Sequence, residues 1–516
     1  MSLLPFLLAL SAVAPVFLPV SSTYDTGHTT AQPTTTVRTS YPTEALAPGA
    51  VHGSVVADNT GQIIPYIQEV RPLPGRLDEV PVFNSNSPEI IAAEGILLST
   101  FPSRGKAEPA AHLDYAFEGR FDIFDHHVVQ AQGDNDTRTR YLGIVVHNPS
   151  RRPVTLRFRE AASYLSQEAP WHGRSDVEFN LASTQFSGPG SRLMNEILRD
   201  RRQSFWPNEI TIPARESYLL MNAPLPVRRL TVPTDGSLTA GSELLPQLPK
   251  SLGGNRSNAR STLMRLSSDG PVYIASLAMF APQTATGERV PSLAEWLQVL
   301  ANGRLATPRD LAPTRPGRRA NPFIYGRVAG VSQGSRWQAQ LTDRRSSQLS
   351  IPSRGAQLSY AISTVDHNTF GTGQIQSAPM LRRYKDTAYR AHGNYGTEYV
   401  LTLPLHNPTE RQQKVALSVQ TPLKNEILKN ALTFLTPHDS RIFFRGTVLF
   451  LYTNDQGERR ADYIHLVQRR GQIGSPLVEL TLTPDEERSV EVHFLYPPDA
   501  TPPQVLTLTT YDDSSN

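Results

Sequence analysis

The sequence predicts an all-β fold, with two related β-sandwich-like domains and a short helical, Arg/Pro-rich connector between them. Three observations carry that expectation. A turn signature occurs twice, in Tyr141-Leu142-Gly143-Ile144-Val145-Val146-His147-Asn148-Pro149-Ser150 and in Val400-Leu401-Thr402-Leu403-Pro404-Leu405-His406-Asn407-Pro408-Thr409. Each is an apolar run that ends as a strand, because Asn and Ser/Thr bond their own backbone and Pro withholds an amide from any further ladder. Alternating runs then resume after both copies, Val154 to Phe158 and Val415 to Val419, as an internal repeat requires. Finally, 43 prolines in 516 residues suit many short strands better than long helices, and the length is enough for two or three cores.

Taken in order, the chain opens on an uncharged apolar run from Leu3 to Val20 followed by Thr-rich polar residues, so residues 1–22 are expected to form a secretory leader. An uncleaved anchor competes with this reading, because the run is near the minimum bilayer span. Pro5, Pro15 and Pro19 break the helix an anchor would use, which favours cleavage and leaves no stable membrane span. Residues 23–77, rich in Thr, Pro, Ala and Gly, are expected to be a stalk.

Residues 78–282 are expected to be the first β domain. Its helical insertion, Ser191 to Arg202, puts Leu193, Met194, Ile197 and Leu198 on one face. Further echoes extend the repeat: Ile212 to Leu220 with Thr436 to Phe444, and Gly119-Arg120-Phe121 with Gly326-Arg327-Val328. Near the domain ends, Ser261 to Leu266, a Ser268-Asp269-Gly270 turn and Pro271 to Leu277 match Val490 to Leu495, Pro497 to Pro503 and Gln504 to Leu508.

Residues 283–320 are the connector. Ser292-Leu293-Ala294-Glu295 is a capping box, Leu293, Trp296, Leu297 and Leu300 form an apolar stripe, and Gly303 supplies the stop. From Arg304 to Arg345 there are nine arginines against two aspartates. Such a run attracts an anionic polymer, or else it solvates a linker whose arginines pair with carbonyls and distant acids, which is its commoner use. Residues 321–516 are expected to be the second β domain. Its hairpins would run from Arg441 to Gln468 through Asp455-Gln456-Gly457, and from Val478 to Leu495 through Pro484-Asp485-Glu486.

Composition narrows the function. The absence of cysteine excludes disulfides, thiolate nucleophiles, cysteine zinc sites and a lipidated cysteine, and points to a bacterial source. A net charge of +3 is too small for nucleic-acid binding, and no motif calls for a cofactor.

Several motifs carry a resemblance. His392-Gly393-Asn394-Tyr395-Gly396, Phe443-Phe444-Arg445-Gly446-Thr447-Val448, His465 to Gln472, Tyr496 to Pro503, Pro81-Val82-Phe83-Asn84 and Gly119 to His127 resemble an uncharacterised secreted protein family of cyanobacteria. The resemblance covers nearly all of the mature chain. It implies an exported cyanobacterial protein and no activity.

Enzyme motifs compete with that picture. Gly330-Val331-Ser332-Gln333-Gly334 matches a nucleophile elbow, with Asp366 and then His392 or His406 in hydrolase order, but no βαβ alternation surrounds it. Asp125-His126-His127 resembles a metal-binding triplet, yet in a strand only Asp125 and His127 share a face. The Gly133-Asp134-Asn135-Asp136 turn has calcium-type ligands without the later bidentate Glu, and Glu118, Asp122 and Asp125 are acids suited to glycoside hydrolysis only if they converge in space. The sequence therefore names no catalytic residue and no metal site.

The expected role is an exported, non-catalytic protein of the periplasm or cell surface, structural or binding an envelope polysaccharide or envelope protein. An envelope hydrolase acting on glycan or ester and a surface-assembly subunit are the alternatives. The candidate ligand-binding residues are Tyr384, Tyr389 and Tyr395 with His392 and Asn394 interleaved, since tyrosine offers a sugar both an apolar face and a polar tip. Arg315, Arg318 and Arg319 join them as anion-binding candidates.

Overall fold

The computed structural model describes residues 61–133, 135–169, 175–228, 257–318, 320–426 and 430–512. The expected leader and most of the expected stalk lie outside these described residues. The strands and helices run β1 (Gln62–Ile67), β2 (Glu69–Arg71), β3 (Pro81–Ser85), β4 (Gly95–Ser99), β5 (Phe117–Gln130), β6 (Arg140–His147), β7 (Val154–Leu165) and β8 (Val177–Phe179). They continue with α1 (Ser191–Leu198), β9 (Glu209–Ile212), β10 (Ser217–Leu225), β11 (Ser257–Phe280), β12 (Gln283–Thr284), β13 (Gly287–Glu288) and α2 (Leu293–Asn302). After the connector come β14 (Ala329–Gln333), β15 (Arg336–Gln340), β16 (Leu349–Ser350), β17 (Gln357–Ile362), β18 (Ala378–Arg383), β19 (Arg390–Ala391) and β20 (Glu398–His406). The last seven are β21 (Gln413–Gln420), β22 (Ala431–Thr436), β23 (Ile442–Thr453), β24 (Arg459–Arg469), β25 (Val478–Leu482), β26 (Glu487–Leu495) and β27 (Gln504–Thr510). The fold is all-β, as expected.

The two halves repeat one sheet strand for strand. In the first, the order is β3-β5-β11-β7-β9, and in the second it is β2-β17-β27-β21-β25, with the outermost pair parallel in both. Facing them, β6 pairs with β10 and β20 with β26. The cores are the alternate apolar residues of these strands, for example Phe121, Ile144, Leu156 and Ile274 in one half and Leu401, Leu417, Val492 and Leu508 in the other.

This alignment corrects the later echoes of the repeat. The counterpart of Ile212 to Ser217 is Leu482 to Glu487, because both segments arch between sheets and both are held by the Asn of the turn signature. Asn148 Nδ2 donates to the carbonyls of Arg152, Ile212 and Pro213, and Asn407 Nδ2 donates to those of Arg411, Leu482 and Thr483. For the same reason β25 and β26 are not a hairpin; they pair with β21 and β20 in different sheets. The β23–β24 hairpin is present as expected, with Gly457 at φ 78° in its turn.

Ser268-Asp269-Gly270 does not reverse the chain either. β11 is 24 residues long, pairing through Ser257–Ser268 with β5 and through Tyr273–Phe280 with β6. A register shift between Ser268 and Val272 bends it from one sheet into the other, as a bulge does. Gly119 lies inside β5, whose counterpart is β17, so its match with Gly326 also fails.

The halves exchange strands. β2, ahead of the first half, completes the second half's sheet, and β14 and β18, beyond the connector, extend the first half's sheet from β3. β8 adds to β24. The stretch expected to be stalk therefore contains two strands near its end, β1 against β22 and β2 against β17.

α1 is shorter than predicted, closing as Asp200 turns to φ 54°, but its four apolar residues are buried as expected. They join Val82, Phe124 and Leu263 of the first half to Leu449 and Leu495 of the second. α2 starts at the Ser292–Glu295 capping box and lays Trp296, fully buried, over Gly143. A Cβ there would sit 2.6 Å from the indole.

A buried ionic cluster also joins the halves. Arg265 of β11 donates to Glu398 of β20 at 3.0 Å, with Glu160 at 3.7 Å and Asp122 at 3.9 Å. Burial pushes Asp122 and Glu160 above the usual carboxylate range, opposed by Arg265.

Candidate binding site

The segment carrying the predicted tyrosines runs from β18, in the first half's sheet, to β20, in the second half's. It is consumed largely by that crossing. Tyr384 is buried, its hydroxyl donating to Ala111 O at 2.8 Å and accepting from Ser99 N at 3.0 Å. Asn394, at φ 51°, donates to Ser363 Oγ. Tyr395 packs its ring on Phe124 and donates to Ala500 O at 3.4 Å. Tyr384 and Asn394 are buried, while Tyr395 is half-buried and lines a separate small cavity with Val82, Asp122 and Phe124. The hydroxyls of Tyr384 and Tyr395 and the Nδ2 of Asn394 are thus engaged within the molecule.

Tyr389 and His392 fare differently. They line a shallow pocket with Thr314, Phe323, Tyr325 and Asp366. Phe323 and Tyr325 follow Asn321-Pro322 and meet edge to face at 4.9 Å, and Phe323 meets the ring of His367 at 4.3 Å. The Tyr325 hydroxyl donates to His367 O at 2.9 Å and accepts from His367 N at 3.2 Å, which fixes the 366–370 loop as the pocket wall. Thr369 N and Oγ1 both donate to Glu426 and hold that loop from behind.

His392 Nε2 lies 2.5 Å from Gly326 O, so that nitrogen carries the proton. Burial lowers this imidazole to about 4, leaving it neutral at physiological pH. It forms the floor beneath Tyr325, 5.1 Å between ring centres, and is not positioned as a base. The guanidinium of Arg383 covers one face of Tyr389 at 3.7 Å, and Asp366 is matched by Arg390 at 3.5 Å.

Arg315 and Arg318 flank Pro316, which lines this pocket, in the chain. Thr314 N donates to Ile324 O at 2.8 Å and Ile324 N to Thr314 Oγ1 at 3.0 Å, which pins the two ends of the intervening segment at the pocket wall. Arg315 and Arg318 are exposed on this segment, joined by an Arg318 N to Arg315 O turn, with Gly317 at φ 75°. Arg319 lies outside the described residues. Neither Arg315 nor Arg318 has an ion pair among the described residues, whereas Arg309 grips Asp386 at 2.8 and 3.0 Å, Arg327 bonds Asp310 and Glu89, and Arg336 approaches Glu398. The arginine run thus divides into structural members and, among the described residues, five exposed ones without an ion pair, Arg304, Arg315, Arg318, Arg344 and Arg345. Of these, Arg315 and Arg318 lie on the loop at the pocket.

Other motifs resolve into structure. Ser332 lies inside β14, buried and paired on both sides, so it is no nucleophile elbow. His127 shares a face with Asp125 at 3.6 Å, as expected, but both are fully buried and engaged by Ser85, Ser276 and Pro88 O. Asp136 gives both carboxylate oxygens to Gln132 N and Arg138. Asp122 and Asp125 are buried in separate networks and Glu118 is exposed, so these acids do not converge. Among the described residues, no helix is long and apolar enough to cross a membrane. Sequence reasoning missed Phe323, Tyr325 and His367 and offered Asp366 only as a hydrolase acid, although the i, i+2 spacing of the two aromatic residues was a usable signal.

No curated protein matches the chain. Among solved structures, Lac15 from a marine microbial metagenome is 9% identical, with 77% of this chain and 89% of that chain covered and a TM-score of 0.09. The coconut allergen cocosin is 10% identical, with 82% and 86% covered and a TM-score of 0.08. Similarity this slight carries no argument about function. A family model described as a protein of unknown function (DUF3370) matches residues 68–510, and the chain belongs to that family.

Proposed function

We propose that this is an exported, non-catalytic protein of the cyanobacterial cell envelope that binds envelope glycan. Export rests on the leader-like run from Leu3 to Val20. The observation that carries binding is the aromatic pocket of Phe323, Tyr325 and Tyr389 with a basic loop rooted in its wall. Rings held edge to face by their neighbours give a sugar a rigid apolar surface at little entropic cost, and Asp366 and Arg390 supply polar partners beside it.

The test is retention of the chain, residues 23–516, on peptidoglycan and outer-membrane polysaccharide. Phe323→Ala should lose retention while keeping the melting temperature within a few degrees. Equal retention by the variant would sink this site, and release of soluble fragments would revive the hydrolase.

An assembly role is the second reading. It rests on β1, whose Ile63, Tyr66 and Ile67 are exposed, Ile67 at 88%. Concentration-dependent association abolished by Ile67→Lys would favour it.

A further inference from the structure

We propose that the ligand is a polyanionic glycan bearing carboxylate or phosphate groups, engaged by Arg315 and Arg318. This rests on the glycan-binding reading of the pocket and names the class of glycan it takes. The argument is one of charge left over. Within the arginine-rich run, Arg309, Arg327 and Arg336 are matched to acids of the protein itself. Asp366, the acid in the pocket wall, is matched by Arg390. Arg315 and Arg318 are exposed and without an ion pair among the described residues, as are Arg304, Arg344 and Arg345. Of these, Arg315 and Arg318 are the ones on the loop whose Pro316 and Phe323 line the pocket.

Their loop is also prepared for a ligand. The paired hydrogen bonds between Thr314 and Ile324 close its root, and the turn from Arg318 N to Arg315 O fixes the backbone between the two residues. A pinned loop loses less conformational entropy on binding than a free linker. Guanidinium groups offer planar paired donors that fit carboxylate and phosphate oxygens alike, which is why both sources of charge remain in the class. Because Pro316 and Phe323 line the pocket, an acidic sugar stacked there lies against the loop that bears the arginines.

The experiment measures affinity of the full mature chain for polygalacturonate, for a phosphomannan and for neutral dextran, at low and high salt. The expected result is binding to one or both acidic polymers, weakened by salt, with dextran bound weakly or not at all. Arg315→Gln with Arg318→Gln should lower acidic-polymer affinity at least about tenfold, since a hydrogen bond to a charged group contributes on that scale. Phe323→Ala should weaken every polymer that binds.

Which acidic polymer wins separates carboxylate from phosphate recognition. Dextran bound as tightly as the acidic polymers, with the double arginine variant unaffected, would overturn the anionic class and leave the glycan reading standing. Acidic binding that survives the arginine change but fails in Phe323→Ala would also overturn the arginine assignment. No binding to any polymer would remove the glycan reading and this inference with it.

Discussion

Asn148 in the first half and Asn407 in the second make the same set of bonds. Each side chain donates to three carbonyls, each accepts from the amide and hydroxyl two residues on, and each backbone amide donates to a glutamate carbonyl, Glu216 or Glu486. Around this shared corner the halves diverge. The insertion between β7 and β9 supplies β8 and α1, whereas the one between β21 and β25 supplies β22, β23 and β24. Those insertions meet: β8 pairs with β24 and α1 packs on β23. The lesson is that the two halves share the polar residues that shape the backbone, while the segments in which they differ form the surface that joins them.

The largest expected effect tests that joint. Arg265→Leu leaves Asp122, Glu160 and Glu398 together without their buried cation and should cost about 3–5 kcal/mol, the usual scale for breaking a buried pair. Chemical denaturation measures it; a loss under about 1 kcal/mol would show that solvent reaches the cluster.

Next come the corners. Asn148→Ala and Asn407→Ala each strand buried carbonyls and should cost roughly 2–4 kcal/mol. Equal losses would confirm that the copies are energetically as well as geometrically equivalent. A wide gap would show that the surrounding insertion matters more.

A third test exchanges residues between copies. Gly143 and Thr402 occupy the same position five residues before the two asparagines. Gly143→Thr should displace Trp296 and cost about 1–3 kcal/mol, the range for overpacking a core. Thr402→Gly meets no indole and should cost about 1 kcal/mol through strand propensity alone. Fluorescence of the tryptophan reports the first.

The smallest effect is in pH dependence. Burial lowers His112 to about 4 and His126 to about 3, both in the first half, and His392 to about 4 at the junction. A depressed folded value means that the unfolded state takes the proton more readily. This contribution to stability is present above about pH 6.5 and is lost as pH falls toward 4, at up to about 1.4 kcal/mol per pH unit for each histidine. Asp122 and Glu160, raised by burial, act in the opposite sense, since acid relieves their charge. His112→Asn with His126→Asn should flatten the acid limb of the melting temperature against pH; an unchanged slope would place its origin in carboxylates held below their usual range, such as Asp136 and Asp343.

Local chemistry was legible in the sequence where a residue's partners lie close along the chain. Ser292 and Glu295 announce α2, Asn148 and Asn407 announce their turns, and Gly457 announces its hairpin. Long-range partners were not legible. Nothing local distinguishes Ser268-Asp269-Gly270 as a bend in a continuous strand from a turn, because the same small polar residues serve both. Tyr384 suggested a binding face, yet its hydroxyl belongs to Ala111 and Ser99, residues nearly three hundred positions away. The candidate site was half legible for the same reason: Arg315, Arg318 and Tyr389 were found by composition, while Asp366 and His367 are brought to them only by the fold.

The exchange of strands has a consequence for biosynthesis. As the chain is made from its amino end, β2 emerges before the first half but has no partner until β17 is complete, and β17 in turn borders β27 at the far end. β3 likewise waits for β14 before its outer edge is covered. Neither half can finish its sheet while the other is still being synthesised. A chain tied together in this order completes its sheets only when synthesis is nearly done, as one piece.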